Sequence, residues 1–327
     1  MANPLVSVII PAYNAEKYIG DTLNSVLSQT YTNLEIIVVS DGSTDATITK
    51  VQFFNDNRIK IVTQPNSGAS SAKQLGLTHI NGEFVQYLDA DDLLSEDKIE
   101  IQVRALANHP TKIAVCSTVH FNTNDFYAEQ LPSPYEDSFL YSTNDPASFL
   151  INLWGGNGQG GSMIQPNAFL TPIAVIEKAG PWNLTISPCA DEDGEYFCRA
   201  ILASDGLVFT PKALNYYRKF DNKNSLSALK SYQSLLNLYR STLLKADALF
   251  AHTHSETAKF VIARQLIELA VSIYPKHASL SKQIRQEVKK LGSYSYTPIS
   301  GGPAARKLSV LLGWKLARIL QSTITAK

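Results

Sequence analysis

Cysteine is scarce in this chain of 327 residues. Cys116, Cys189 and Cys198 are all there is, and their spacing fits no metal-binding pattern. So few, and an odd number, argue against a disulfide framework and fit a reducing cytoplasm. An excess of one charge is also missing. Lys and Arg total 29, Asp and Glu total 29, and the formal net charge is +0. No global basic field draws nucleic acid, so any anion site must be local. There is no apolar run of the roughly 18 residues that a membrane span needs. Leu5 to Ile10, with no basic region before it, is too short for a signal peptide. The six histidines show no ligand spacing, and there is no internal repeat or low-complexity tract. Two phosphate-binding signatures are absent as well. No Gly-x-Gly-x-x-Gly follows the first apolar run and no Gly-x-x-x-x-Gly-Lys-Ser/Thr occurs anywhere, which disfavours the dinucleotide and P-loop readings.

What is present is ordinary for a folded globular protein, with 44% hydrophobic and 18% charged residues. The length exceeds one small core and predicts a large domain with an appendage, or two domains. Val6 to Ile10 reads as a buried strand stopped by Pro11, after which Ile19, Leu23, Val26 and Leu27 recur at helical spacing. Further strands are predicted at Glu35–Val39, Ile59–Val62, Glu83–Leu88 and Ile113–Val119, with helices over Ser67–His79 and Ser95–Asn108. Strands alternating with helices predict a parallel-dominated sheet covered on both faces. From Phe121 to Gly161 the pattern weakens, and the glycine-rich stretch around Trp154–Gln165 reads as a lid or binding loop. A helix near Thr171–Ala179, an acidic helix start at Asp191 and a strand-like pair at Leu207–Phe209 and Ala213–Tyr217 follow. The chain then reads as helical from about Ser227. Ala304–Ile324 mixes leucines with Arg306, Lys307, Lys315 and Arg318. That amphipathic helix either packs on the domain or lies on an anionic membrane surface.

The densest chemistry is in Leu88-Asp89-Ala90-Asp91-Asp92, three carboxylates directly after an apolar strand. Open α/β sheets bind ligands at the carboxyl ends of their strands. Clustered carboxylates repel unless a cation sits among them, and Mn²⁺ or Mg²⁺ suits one or two carboxylates plus substrate phosphates. In a parallel sheet, Pro11-Ala12-Tyr13-Asn14, Asp41-Gly42-Ser43 and Asp89-Ala90-Asp91 converge on the same edge. These parts suit a nucleoside diphosphate. Tyr13 can flank a base, Asp41 can accept from a pyrimidine imide N–H, and Asp89 and Asp91 can serve ribose and metal. Asp92 reads as a cap for the helix that follows.

Val8–Asn14, Ile36–Asp45, Asn66-Ser67-Gly68 with Ala72-Lys73, and Gly82-Glu83-Phe84 leading to Leu88–Asp92 resemble, in order and spacing, the family-two inverting glycosyltransferases. Glu192 to Arg199 looks like that family's Glu-Asp motif, which opens a helix and holds the catalytic base. Gly180-Pro181-Trp182-Asn183, and Tyr217-Arg218 with Ser225 and Ser227, extend the likeness over residues 5–227. Four positions depart from the pattern. Ser40 replaces the first of two acids, Lys73-Gln74 stands for Arg-Asn, and Phe220 stands where a histidine often follows.

The resemblance implies an α/β fold of the glycosyltransferase A type, a mostly parallel Rossmann-like sheet flanked by helices, with a helical C-terminal extension. It divides the chain into a glycosyltransferase domain over 1–226 and an extension over 227–327. Within that domain, 1–120 is the nucleotide-sugar-binding half and 121–226 the acceptor half. The expected activity is metal-dependent, inverting transfer from a nucleotide sugar, with UDP as nucleotide, to a hydroxyl of a glycan or lipid-linked acceptor. Asp193 is the expected base, with Asp191 and Glu192 as rivals. Asp91 and Asp89 are expected to hold the metal, and Pro11, Ala12, Tyr13, Asn14, Asp41, Lys73, Asp89 and Ala90 the donor. Trp182 serves either the core or the acceptor. The expected location is cytoplasmic, with peripheral membrane contact through the C-terminal helix as an option. A binding module without catalysis, or a sugar nucleotidyltransferase, is the alternative. The latter usually has a Gly-rich basic loop near the N-terminus, which Pro11–Glu16 is not.

Overall fold

A computed structural model describes residues 3–122, 130–158, 160–220, 231–292, 294, 307, 309 and 313–321. Its strands are β1 (Val6–Ala12), β2 (Leu34–Asp41), β3 (Ile59–Gln64), β4 (Phe84–Tyr87), β5 (Leu93–Leu94), β6 (Ile113–Asn122), β7 (Phe169–Pro172) and β8 (Leu207–Lys219). They form one sheet in the order β3-β2-β1-β4-β7-β6-β8-β5. β3, β2, β1 and β4 run parallel, as do β6 and β8, while β7 is antiparallel to β4 and β6, and β5 to β8. The helices are α1 (Ile19–Leu27), α2 (Thr47–Gln52), α3 (Ala69–Leu77), α4 (Lys98–Leu106), α5 (Pro134–Asp137), α6 (Pro146–Leu153), α7 (Ile173–Ala179), α8 (Glu192–Ala203), α9 (Tyr232–Phe250), α10 (Glu256–Ser272) and α11 (Ala278–Leu291), with further helix at 313–321. The fold is therefore α/β, with a mostly parallel sheet flanked by helices.

The unbroken apolar run of β1 reflects burial on both faces. Val8 and Ile10 pack with Ile19, Leu23 and Val26 of α1 and with Ile99 and Val103 of α4. Ile9 points the other way, into the larger cluster. Each such side chain contributes roughly 1.5–3 kcal/mol by leaving water. Gly76 lets α3 lie close on this side, since a Cβ there would collide with Ile9.

Several boundaries differ from the sequence reading. α3 and α4 are each shorter at both ends than the predicted helices. Among the described residues, the segment from Phe121 to Gly161 contains two helices. Asp145 caps α6 through its side chain to Ser148 N at 2.9 Å, with Pro146 in the first turn. The expected pair at Leu207–Phe209 and Ala213–Tyr217 is one strand, β8, whose register slips opposite Val115 and Ser117 so that the Pro211 region bulges. β7 has only four residues and precedes α7, a length at which periodicity carries little signal.

Helices α9 to α11 share an apolar cluster with α8. Tyr196 and Phe197 of α8, Tyr239 and Leu249 of α9, Val261 and Leu266 of α10 and Ile284 of α11 all belong to it. Ser225 and Ser227 lie outside the described residues, as does part of Ala304–Ile324, of which 307, 309 and 313–321 are described. Among the described residues no helix is long and apolar enough to cross a membrane. All three cysteines are free and buried.

Candidate functional site

The carboxyl ends of β2, β1 and β4 lie side by side, which brings the three expected loops to one edge. Ala12 is buried, while Tyr13 stands 55% exposed and is no part of the core. The loop after β1 is braced against the loop after β2. Asn14, in the left-handed region at φ 48°, accepts from Thr44 N at 2.8 Å, and Ser43 Oγ donates to the Ala12 carbonyl at 3.3 Å. Gly42 supplies a φ of 72° where a Cβ would strike the backbone of Asn66. Asp41 is buried and accepts from Gln64 Nε2 at 2.7 Å, Ser67 N at 2.7 Å and Gly68 N at 2.9 Å. It ties the start of α3 to β2, and a carboxylate with about four acceptor positions keeps room for one more donor.

The acid turn after β4 is held from two sides, by Asn167, which the sequence did not mark, and by Arg218, which it marked without this role. Asn167, fully buried before β7, accepts from Asp89 N at 3.0 Å and donates to Asp92 at 2.5 Å. Arg218 of β8 donates its backbone N–H to Asp92 at 2.7 Å and its Nε to the Asp91 carbonyl at 2.8 Å. Its guanidinium lies over Tyr18 and Phe121. Asp92 is therefore not a helix cap. It is a buried anchor of the turn, and α4 begins only after Asp97. Burial, with Asp91 and Asp89 beside it, pushes the Asp92 carboxyl well up. Burial and the charge of Asp89 likewise push Asp91 up to about 6, against some relief from Arg218.

Among the described residues no three His, Cys, Asp or Glu side chains are grouped to hold a metal ion. Asp89 and Asp91 nonetheless fit a hard cation completed by phosphates. They are two carboxylates on one turn, and burial first and then the neighbouring charge of Asp89 raise the Asp91 carboxyl, so a cation between the two would relieve their repulsion.

Across from this turn stands the N-terminus of α8, where acid side chains complement the helix dipole. The four acids there do different things. Asp191 pairs with Lys245 Nζ of α9 at 2.6 Å and accepts from Ser241 Oγ at 2.7 Å. Gly194 leaves space for it, since any Cβ would run into the Asp191 carboxylate. Glu192 is buried and accepts from Cys189 N at 2.8 Å and from Ser70 Oγ. Glu195, also buried, holds Arg199 at 2.7 Å. Asp193 keeps 39% of its side chain accessible and meets Lys73 Nζ at 2.5 Å.

Lys73 links the two acid groups. It projects from α3, is almost fully buried, and lies 3.6 Å from Asp89 as well as 2.5 Å from Asp193. Burial alone would pull its ammonium down, but Asp193, Asp89 and Glu192 together hold it above its ordinary range. Asp193 is pushed up by burial and by Asp89, with Lys73 opposing. Trp182 belongs to the core. It is 3% exposed, stacks on Tyr196 at 3.9 Å between centroids, and donates Nε1 to Tyr87 at 3.1 Å. Gln74 accepts from Trp182 N at 2.9 Å, and Phe220 packs on Tyr18 at 5.1 Å. The glycine-rich loop folds back on α6, with Gly156 N bonded to Ile151 O at 2.8 Å and Ser162 N to Leu153 O at 2.7 Å.

Comparison with known proteins adds the following. The family model described as glycosyl transferase family 2 matches residues 7–159. A glycosyltransferase of Haemophilus influenzae is 40% identical over 244 residues, 73% of this chain and 89% of that protein. GlyA of Streptococcus pneumoniae is 29% identical over 281 residues, 82% of this chain but only 38% of that longer protein. A UDP-Glc:α-D-GlcNAc-diphosphoundecaprenol β-1,3-glucosyltransferase of Escherichia coli is 43% identical over 104 residues, 32% of this chain and 41% of its own length. Among solved structures, Staphylococcus aureus TarS in complex with UDP-GlcNAc superposes with a TM-score of 0.69 at 18% identity, covering 96% of this chain and 87% of that one. A Pyrobaculum calidifontis mannosyltransferase in complex with GDP-Man and Mn²⁺ gives 0.54 at 15% identity, covering 100% and 89%.

Proposed function

The chain belongs to glycosyl transferase family 2, and we propose that it moves one sugar from a nucleotide sugar to an acceptor hydroxyl, with inversion at the anomeric carbon. The observation that carries this reading is Lys73, held between Asp89 of the β4 turn and Asp193 of α8. One cation joins a diphosphate-type site to a carboxylate that opens on the same cleft.

In this mechanism the exposed Tyr13 flanks the base and Asp41 offers its remaining acceptor position to a pyrimidine imide, which favours UDP. The names of the Escherichia coli relative and of the TarS complex point to the same nucleotide. Asp91 and Asp89 would hold Mn²⁺ or Mg²⁺, which would supply Lewis acidity to the leaving diphosphate. Lys73 adds a fixed positive charge beside it. The acceptor oxygen forms the new bond to the anomeric carbon as the bond to the diphosphate breaks. The electron pair leaves with the diphosphate, and Asp193 takes the hydroxyl proton. Asp191 and Glu192 are less suited to that task because Lys245 and Ser241, and Cys189 and Ser70, already engage them. The acceptor is a glycan or a lipid-linked sugar, the latter being what the Escherichia coli relative's name describes.

Incubation with UDP-sugars, Mn²⁺ and acceptor mixtures tests the reading through UDP release. Metal-dependent release that needs an acceptor supports it. No release above background with any common donor would overturn it.

A further inference from the structure

We propose that the C-terminal end of the chain is a docking surface for an anionic phospholipid bilayer. Its basis is a charge split that the zero net charge conceals. From Lys276 onward the sequence holds ten Lys and Arg and a single acid, Glu287, so the rest of the chain carries nineteen bases and twenty-eight acids. The body of the molecule is acidic and its end is strongly basic.

The helix at 313–321 is built inside out. Its inward face is Trp314, Ala317 and Arg318. Ala317 is buried, Trp314 meets Tyr274 at 5.4 Å, and Arg318 donates to the carbonyls of Val271 at 3.1 Å and Ser272 at 2.7 Å, at the end of α10. A cation on the last carbonyls of α10 fastens the segment by a polar face. The apolar side chains are left on the opposite arc, with Leu316 53%, Leu320 43% and Ile319 38% exposed. Lys315 flanks them in the open. Such an arrangement is the reverse of a helix packed on its own core.

A basic stripe on α11 adjoins the helix at 313–321 through Trp314. Arg285 of α11 lies over Trp314 at 5.4 Å, and Lys282 and Lys289 share its stripe at helical spacing, both exposed. The buried face of α11, Leu280, Ser281, Ile284 and Val288, points elsewhere. Leucines that insert shallowly beside cations that meet phosphate headgroups are the two signals that stable surface attachment requires. Charge complementarity favours an anionic bilayer over a neutral one.

The test is co-sedimentation of the full chain with vesicles, which requires no substrate and is independent of sugar transfer. Vesicles of phosphatidylcholine mixed with phosphatidylglycerol should pellet the protein, phosphatidylcholine alone should not, and added salt should weaken binding. Lys282→Gln with Lys289→Gln should weaken it roughly 20- to 30-fold, from about fivefold per charge. Leu316→Ser with Leu320→Ser should remove the part of binding that survives high salt. All four positions are exposed, and thermal melts of the two double variants should match the parent. Should one fail to fold, the other decides. Absence of binding to anionic vesicles, equal binding to both kinds, or indifference to both double variants would overturn the proposal. So would a dimer in sedimentation velocity that the Leu316/Leu320 pair dissociates, since a second copy would then cover this face.

Discussion

Lys73 keeps its charge in a nearly closed site because carboxylates on two different elements face it. Its removal therefore changes Asp193 more than any other group. Without the ammonium, burial, Asp89 and Glu192 act on Asp193 unopposed, and its carboxyl rises further. A base must be deprotonated to act, so Lys73→Gln should shift the acid limb of the kcat/KM profile to higher pH. An unmoved limb would separate Lys73 from the base. Asp193→Asn should leave donor binding intact by calorimetry while lowering kcat by roughly 10²–10⁴-fold, and full activity in that variant would refute Asp193. Asp91 offers a test in pH. Its folded carboxyl lies near 6, above the ordinary carboxylate range. A group raised in the folded state supports stability at low pH, and that support is lost as pH rises through the folded value. The metal-free protein should thus lose on the order of 3 kcal/mol from this group by about pH 8. Asp91→Asn should raise the melting temperature there and leave it nearly unchanged at about pH 4, while abolishing any stabilisation by Mn²⁺.

At the scale of elements, the acid turn after β4 depends on β7 and β8, which come much later in the chain. Asn167 uses both ends of its amide on this turn, and Asn167→Ala would leave Asp89 N and one oxygen of the buried Asp92 without that partner. The cost should be about 1–3 kcal/mol in urea unfolding, with donor affinity falling in parallel. Unchanged donor affinity would show that the turn holds its shape without this clamp. The contrast with the turn itself marks what sequence can carry. Asp89, Asp91 and the strand before them were legible because a period-free apolar run ending in acids is a local pattern. The parallel order of β1, β2 and β4 was legible from alternating strands and helices. Asn167 was not, because it has no signal in its own neighbourhood, and the Tyr217-Arg218 motif marked Arg218 without its double role on the acid turn. Arg218 reaches Asp91 and Asp92 over more than a hundred residues, as does Lys73 to Asp193. The misplaced cap at Asp92 has the same origin. An acid just before a helix pattern reads as a cap, and only the tertiary partner reveals that its carboxylate is consumed elsewhere.

At the scale of the molecule, helix α9, backed by α10 and α11, bears directly on the site. α9 contributes Tyr239, Ala246 and Leu249 to the cluster that contains Tyr196, Phe197, Ala200 and Ile201 of α8. Its Ser241 and Lys245 hold Asp191 at the mouth of α8. The position of Asp193 thus rests on an element some fifty residues further along. Buried side chains of this size are worth roughly 1.5–3 kcal/mol each, while a whole domain is stable by only about 5–15 kcal/mol. A chain ending before α9 should accordingly lose its cooperative melt by circular dichroism and lose UDP binding with it. A chain ending at Gly292 keeps α9, α10 and α11 with their share of the cluster, and should melt close to the full protein. Were the shorter chain to melt cooperatively and bind UDP with unchanged affinity, the α9–α11 layer would be an appendage energetically separate from the sheet. The shared cluster and the Lys245–Asp191 pair argue against that, because removing α9 would leave the apolar face of α8 in water and the Asp191 carboxylate without its partner.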